Sequence, residues 1–366
     1  MIICSECFLD DEISLIIKSL NNRGMCPTCG KRNSFIYDTE TDDQLNNIFD
    51  DLISIYSTMD SLPADFPKSD LHLLKDELQA NWNIFDKLTS AQIYCILVEL
   101  SKDMYSEYPN LFDLPVGNPK KYDSQYLSMN SILRTNQWDE FVKALKYDNR
   151  FHTDHVNTDI LDIFCSYIRK TYHAGAIFYR GRISPDFGYI IDDMGAPPKE
   201  VASDGRANSA GISRLYLANN IDTTIREVRA GAFDIISVGK FVLKEDITVV
   251  DLKSIDKISP FIESLDCLQY AINKEHLNKI NIEMGRSLRR SDSPLDYIPT
   301  QYISDFIKSI KHDGVPEYAG IEYKSTMNSE GYNLAIFNPT LFDCIEVSTY
   351  KIDELAYKTS VYEETP

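Results

Sequence analysis

The chain has 366 residues, enough for two or three domains and at least one large core. Its 43% hydrophobic and 25% charged residues are those of an ordinary globular protein, and a formal charge of -19 argues against a broad face that grips nucleic acid or anionic lipid. No apolar run approaches the roughly 20 residues of a spanning helix, and Met1-Ile2-Ile3-Cys4 lacks the basic and long apolar regions of a signal peptide. The expectation is a cytoplasmic protein with no membrane partner.

Residues 1–37 form a short first segment that ends in Ser34-Phe35-Ile36-Tyr37. An acidic hinge follows. From Asp43 to Met59 the apolar residues Leu45, Ile48, Phe49, Leu52, Ile53 and Tyr56 recur at helical spacing. Ser61-Leu62-Pro63 ends that helix, and a second helical region is predicted over about 70–100. Helical patterning returns over 138–147 and 158–172, so 38–172 reads as a helical segment. Beyond His173-Ala174-Gly175 the pattern changes to short β-type runs: 176–180, 214–218, 235–243, 247–252, 320–323, 334–338 and 344–350. Helices are predicted at 222–229, 260–284 and 300–311. Short mixed strands with few intervening helices make 173–366 an α+β domain rather than a doubly wound sheet.

Eight cysteines fall into two sets. Cys4, Cys7, Cys26 and Cys29 make two CxxC knuckles, the arrangement in which four thiolates converge on Zn²⁺ in a closed structural site. An iron site and a redox pair are the alternatives. Cys95, Cys165, Cys267 and Cys344 are scattered in apolar surroundings and read as small buried hydrophobes.

The stretch from Phe178 to Arg229 carries the clearest chemical signal. Arg180 and Arg182 end a predicted strand, and alternate strand residues point the same way. Arg206 follows Gly205 in a loop of small residues. Asp222 is the expected cap of a helix that buries Ile225 and Val228 and carries Glu227. Arginine forks suit a diphosphate, and a carboxylate can steady a sugar cation. The same residues also fit solvated strand ends and a surface ion pair, so the pattern alone leaves both readings open. Arg286, Arg289 and Arg290 form a further small basic patch, read as a solvated helix end.

Several pieces in order carry a resemblance: Phe178-Tyr179-Arg180, Gly205-Arg206-Ala207-Asn208, Leu215-Tyr216-Leu217-Ala218, Thr224-Ile225-Arg226-Glu227, Tyr297-Ile298-Pro299-Thr300-Gln301, Gly320-Ile321-Glu322-Tyr323-Lys324-Ser325 and Gly331-Tyr332-Asn333-Leu334-Ala335. Over about 174–350 the chain resembles the RES domain, named for its arginine, glutamate and serine, the toxin of RES–Xre toxin–antitoxin pairs. The knuckles and helical segment resemble the HEPN-like extension of longer RES proteins. The resemblance implies an ADP-ribosyltransferase-like fold and cleavage of the nicotinamide–ribose bond of NAD⁺, with transfer to phosphate, water or protein. It implies Arg180, Glu227 and Ser325 as catalytic, with Arg206, Tyr216, Arg182 and Asn208 binding NAD⁺ or phosphate. The N-terminal half would then regulate the reaction, and an antitoxin, another regulatory protein or a second copy of the chain would be its partner.

Two other readings stand beside this one. Arg150-Phe151-His152-Thr153-Asp154-His155 fits the R-x4-H pattern of HEPN ribonucleases, in which a histidine activates an RNA hydroxyl. The net acidity speaks against RNA. The third reading is a binding module with a dead pocket, against which intact Arg180, Glu227 and Ser325 weigh.

Overall fold

The computed structural model describes residues 1–135, 137–286, 293–356 and 359. They divide into two compact units, 1–136 with 257–275, and 137–256 with 276–366. Arg289 and Arg290 of the basic patch lie outside the described residues. Among the described residues no helix is long and apolar enough to cross a membrane.

In the first unit, β1 (Ile2–Cys4), β2 (Arg23–Gly24) and β3 (Ser34–Asp38) form a small sheet in the order β1-β3-β2. Helix α1 (Asp11–Ser19) begins where Asp10 Oδ1 accepts the Ile13 N–H at 3.1 Å. The helix predicted over 43–59 is shorter, α2 (Gln44–Ile53). The chain beyond it is extended as β4 (Ser57–Thr58), which joins β5 (His72–Leu73) and β6 (Pro115–Gly117) in a second small sheet.

The helical region predicted over about 70–100 consists of two helices, α3 (Leu74–Ala80) and α4 (Ser90–Leu100). Asn83 and Lys87 between them take positive φ, and Thr89 opens α4 with a capping box to Gln92. Helices α5 (Lys102–Glu107), α6 (Asn110–Asp113) and α7 (Ser124–Asn130) complete this part. Phe49 packs on Phe85 and Phe261 at the centre, with ring centroids 6.4 and 5.0 Å away.

The second unit starts with α8 (Trp138–Lys143), which runs into a single π-turn over Ala144–Asp148, and α9 (Thr158–Tyr167). The last residues expected in α9 instead form an edge strand, β7 (Arg169–Tyr172), paired antiparallel with residues 247–250. The remaining strands are β8 (Ile177–Ser184), β9 (Leu215–Ala218), β10 (Ile235–Leu243), β11 (Ile247–Asp251), a two-residue hairpin of β12 (Lys311–His312) and β13 (Val315–Pro316), β14 (Gly320–Lys324), β15 (Tyr332–Ile336) and β16 (Phe342–Lys351). Seven of them join β7 in one sheet of the order β16-β10-β8-β9-β15-β14-β11-β7, in which, among the described residues, only β11 and β14 are parallel. Helix and strand thus mix as an α+β architecture.

Three helices accompany this sheet: α10 (Ile221–Glu227), α11 (Cys267–Gly285) and α12 (Ile298–Ser309). The start of α11, seven residues later than expected from about 260, follows Asp266, whose Oδ1 accepts the Gln269 N–H at 2.9 Å. Its first half groups with the first unit and the rest with the second. One sheet face buries Phe178, Leu217, Phe241, Val249, Leu334 and Ile336. Residues alternate between faces, so the register pairs Tyr323↔Asn333 and Ala335↔Tyr216 place those side chains on the other face.

The apolar face also carries a buried ionic cluster. Glu322 of β14 is 0% exposed and accepts from Lys170 Nζ at 2.9 Å, Lys253 Nζ at 2.6 Å and the Tyr172 hydroxyl at 2.5 Å. Lys253 also meets Asp251 at 2.7 Å. Burial, then the bond to Glu322, pushes the Tyr172 hydroxyl well up, so it stays a donor.

Candidate active site and metal centre

The four cysteines of the first unit meet. Cys4 ends β1, Cys7 follows one 3₁₀ turn later, and Cys26 and Cys29 flank a tight knuckle. In that knuckle the Gly30 N–H donates to the Cys26 carbonyl at 2.8 Å, and Gly30 takes the positive φ that the turn requires. Sulfur–sulfur distances are 3.7 Å for Cys4–Cys7, 3.5 Å for Cys4–Cys29 and 3.7 Å for Cys7–Cys26. A tetrahedron of metal–sulfur bonds of about 2.3 Å has edges of about 3.8 Å, so the set fits a metal ion.

Without a cation, the hydrogen bond from Cys7 draws Cys26 down, and burial, followed by the bond to Cys29, pushes Cys4 up. Four thiolates this close need a cation. Of the other cysteines only Cys165 is fully buried. Cys267 and Cys344 are half-buried and Cys95 is exposed, so the expected burial fails for Cys95.

The candidate active site lies in the second unit, and α10 is its scaffold. Its cap is Asn220, not Asp222: Asn220 Oδ1 accepts the Thr223 N–H at 2.8 Å. Asp222 sits inside the helix, exposed, and pairs with Arg226 at 2.9 Å. The buried side of the helix is Thr223 and Thr224, whereas Ile225 and Val228 are only half-buried. The helix rests on β8 where Gly181 separates the two arginines. A Cβ there would stand 2.8 Å from Thr224 Cγ2 and 3.3 Å from its carbonyl, so a side chain at 181 would push the helix, and Glu227 with it, off the sheet.

Glu227 ends α10, and its carboxylate is held by two donors. Ser325 Oγ donates to Oε1 at 2.5 Å and Asn333 Nδ2 donates to the same oxygen at 2.8 Å. Ser325 follows β14 directly, and its hydroxyl accepts the N–H groups of Met327 and Asn328, both at 3.2 Å. Asn328 ties this turn back to α10 through Thr223 Oγ1 at 2.9 Å. Gly331 closes the turn so tightly that a Cβ would fall 2.2 Å from Thr223 Oγ1.

Arg206 stands in a loop pinned by α12. Gln301 Nε2 donates to the carbonyls of Gly205 at 3.0 Å and Asn208 at 2.9 Å, and Ser304 Oγ to that of Ala207 at 2.9 Å. The Arg206 guanidinium lies 5.6 Å from the centre of the Tyr323 ring and donates through Nη1 to the Gly285 carbonyl at 3.3 Å. Arg180 Nη1 reaches the Tyr216 carbonyl at 3.4 Å. Burial and the neighbouring Arg182 push the Arg180 guanidinium down to about 10, which still leaves it charged at neutral pH. The Nε groups of Arg180 and Arg206 are buried without a partner among the described residues. Unspent buried N–H groups on cations suit an anion.

Tyr216 and Asn208 serve the loop. Asn208 is 4% exposed; its amide donates to the Ser203 and Ser209 carbonyls at 2.9 and 3.1 Å, and its Oδ1 accepts the Tyr216 hydroxyl at 2.6 Å. The same hydroxyl accepts the Ala207 N–H at 3.1 Å, and burial pushes it up to about 12. Arg182 turns instead to the Asp193 carbonyl and the Tyr189 ring. Contacts therefore join Arg180, Tyr216, the Arg206 loop with Asn208, Tyr323, Ser325 and Glu227, while Arg182 is spent elsewhere and the Asn208 side chain is spent on the loop itself.

A family model described as the RES domain matches residues 177–359, half of the chain. The chain belongs to the RES domain family. No curated protein and no solved structure matches it. All the residues from Arg180 to Asn333 just described lie within the RES span, and the four cysteines lie outside it.

Sequence reasoning did not single out two residues that hold the candidate site together, Asn333 and Gln301. Both sit inside the quoted motifs; the signal was a polar amide in an otherwise apolar run, Tyr332-Asn333-Leu334 and Pro299-Thr300-Gln301. The ribonuclease pair is less well placed. Arg150 and His155 lie in the irregular chain between the π-turn and α9, and Arg150 Nε donates to the Leu145 carbonyl at 3.4 Å.

Proposed function

We propose that this RES protein cleaves the nicotinamide–ribose bond of NAD⁺ and that its sheet belongs to the ADP-ribosyltransferase type. The observation that carries the reading is the Glu227 carboxylate, fixed through one oxygen by Ser325 and Asn333 on the same framework as two arginines with unspent N–H groups. Nicotinamide leaves as a neutral base from a cationic ring, so acid catalysis is not required. The barrier lies in the oxocarbenium-like ribose, and a carboxylate beside it lowers that barrier, as in glycoside cleavage. Arg180 and Arg206 hold the diphosphate or an attacking phosphate. The C1′–N bond breaks as a phosphate or water oxygen bonds to C1′, releasing nicotinamide.

Purified protein should therefore consume NAD⁺ and release nicotinamide, measured by chromatography. Glu227→Gln should slow turnover by about a thousandfold, the scale of losing one main electrostatic group in a site. Unchanged turnover in this variant would sink the assignment. Phosphorus NMR of the product, with and without added phosphate, separates phosphorolysis from hydrolysis. A NAD⁺-consuming activity of this kind fits a toxin.

For the cysteine cluster the sulfur spacing supports structural zinc, held by Cys4, Cys7, Cys26 and Cys29 with all positions filled by protein. Elemental analysis should find one zinc per chain, and Cys26→Ser should lose it. The regulatory role of the N-terminal half is tested by comparing NAD⁺ turnover before and after zinc is stripped by a chelator; identical turnover would count against it.

A further inference from the structure

We propose that Asn333 is a positioning residue which, together with Ser325, fixes Glu227 by Oε1 and reserves Oε2 for the substrate. The proposal rests on the reading of Glu227 as the carboxylate that faces the ribose of NAD⁺, and adds how that carboxylate is aimed.

The hydrogen-bond arithmetic at this site is closed on one side. A serine hydroxyl has one proton to give and two lone pairs to accept with. Ser325 Oγ accepts from Met327 N and Asn328 N, so its single proton is committed to Glu227 Oε1. Ser325 is thereby a donor to the carboxylate and has nothing left for a substrate oxygen. Asn333 supplies a second donor to the same oxygen at 2.8 Å. It is 6% exposed and sits mid-strand, with Tyr323 and Ala218 as its register neighbours, so the backbone ladder fixes where its amide points. Two donors on Oε1 stop rotation of the carboxylate. No described residue donates to Oε2. The contrast with Glu322 is informative, since there both carboxylate oxygens are saturated by Lys170, Lys253 and Tyr172.

Asparagine is required in this role because it donates and does not titrate. Aspartate has the same shape but would bring a second carboxylate to within hydrogen-bond distance of the first, and such a pair retains a proton. In Asn333→Asp the pair's folded-state pKa is therefore raised above its unfolded value. Its favourable contribution is present at low pH and lost as pH rises through the folded value.

The experiment takes the full chain, wild type, Asn333→Asp and Asn333→Ala. Wild-type NAD⁺ turnover is recorded first. If there is none, the proposed function fails, and the positioning inference is then decided by melting alone. The melting deficit of Asn333→Asp against wild type should shrink as pH falls from 8 to 5, and a deficit independent of pH overturns the inference. With turnover present, the acid limb of kcat in Asn333→Asp should move up by about one pH unit or more. An unmoved limb overturns the proposal, because an asparagine that merely filled the strand would leave it in place. Asn333→Ala should lower kcat by roughly tenfold or more with KM changed by less than about threefold. A raised KM with kcat intact also overturns it.

Discussion

The hairpin of β14 and β15 carries polar groups on both faces, and the two faces use them in opposite ways. Behind it, Glu322 sits among Lys170, Lys253 and Tyr172 with both oxygens occupied, and Asp251 balances the second lysine. In front, Ser325 and Asn333 hold only one oxygen of Glu227, and Arg206 beside Tyr323 keeps a buried N–H unspent. Charges closed on each other hold structure, and charges left open wait for a ligand. The closed face also sets the open one. Side chains alternate along a strand, so a slip of one residue would send Glu322 to the front and Tyr323 to the back. The buried ions make that slip costly.

The largest effect is expected where the closed face is opened. Glu322→Gln keeps the shape and removes the charge, leaving Lys170 and Lys253 against a neutral amide. The loss should be about 3 kcal/mol, the lower end for a broken buried pair, because both lysines retain some contact with water. A urea unfolding midpoint measures it. A loss below about 1 kcal/mol would mean that the apolar core alone holds the register.

Next comes the open face. Arg206→Lys removes the fork that serves Gly285 and leaves Nε free. If the unspent donor meets an NAD⁺ phosphate, affinity should fall roughly ten- to a hundredfold, the worth of a charge-assisted bond. The urea midpoint should hardly move. Titration calorimetry with NAD⁺ reads the first quantity, and unchanged affinity would show that Arg206 serves the loop and not the ligand.

How much of this could be read from residues alone depends on the range of the interaction. The knuckles of Cys4, Cys7, Cys26 and Cys29 were legible because each pair of ligands is local in the chain. Strand β10 was legible to the residue, since Ile235–Leu243 is rich in β-branched and aromatic residues, Ile235, Ile236, Val238, Phe241 and Val242. The helical region over 70–100 was legible, but not its break at Asn83 and Lys87, whose positive φ belongs to tertiary packing rather than to propensity. Asp222 looked like a cap because Asn220 two residues earlier has the same chemistry. The RES match brought Arg180, Glu227 and Ser325 within reach of the reading. The buried charge of Glu322 was out of reach, because its partners Lys170 and Lys253 lie some 70 to 150 positions away and charged residues read as surface. Asn333 was hidden for the related reason that its role exists only once α10 lies beside β15.

The smallest effect separates ring from hydroxyl on the closed face. Tyr332 presents its ring to Lys170 and to Lys253, each 5.1 Å from the centroid. Its hydroxyl only meets that of Tyr172, at 3.3 Å, and Tyr172 already donates to Glu322. Tyr332→Phe keeps both cation–ring contacts and should cost about 0.5 kcal/mol or less. Tyr332→Leu loses both and should cost about 1 to 2 kcal/mol. Neither should change NAD⁺ turnover by more than about twofold, because Tyr332 faces away from Glu227 while its neighbour Asn333 faces it. A tenfold fall in turnover for Tyr332→Phe at unchanged stability would break the separation of the two faces: the hydroxyls behind the hairpin would then tune the carboxylate in front of it.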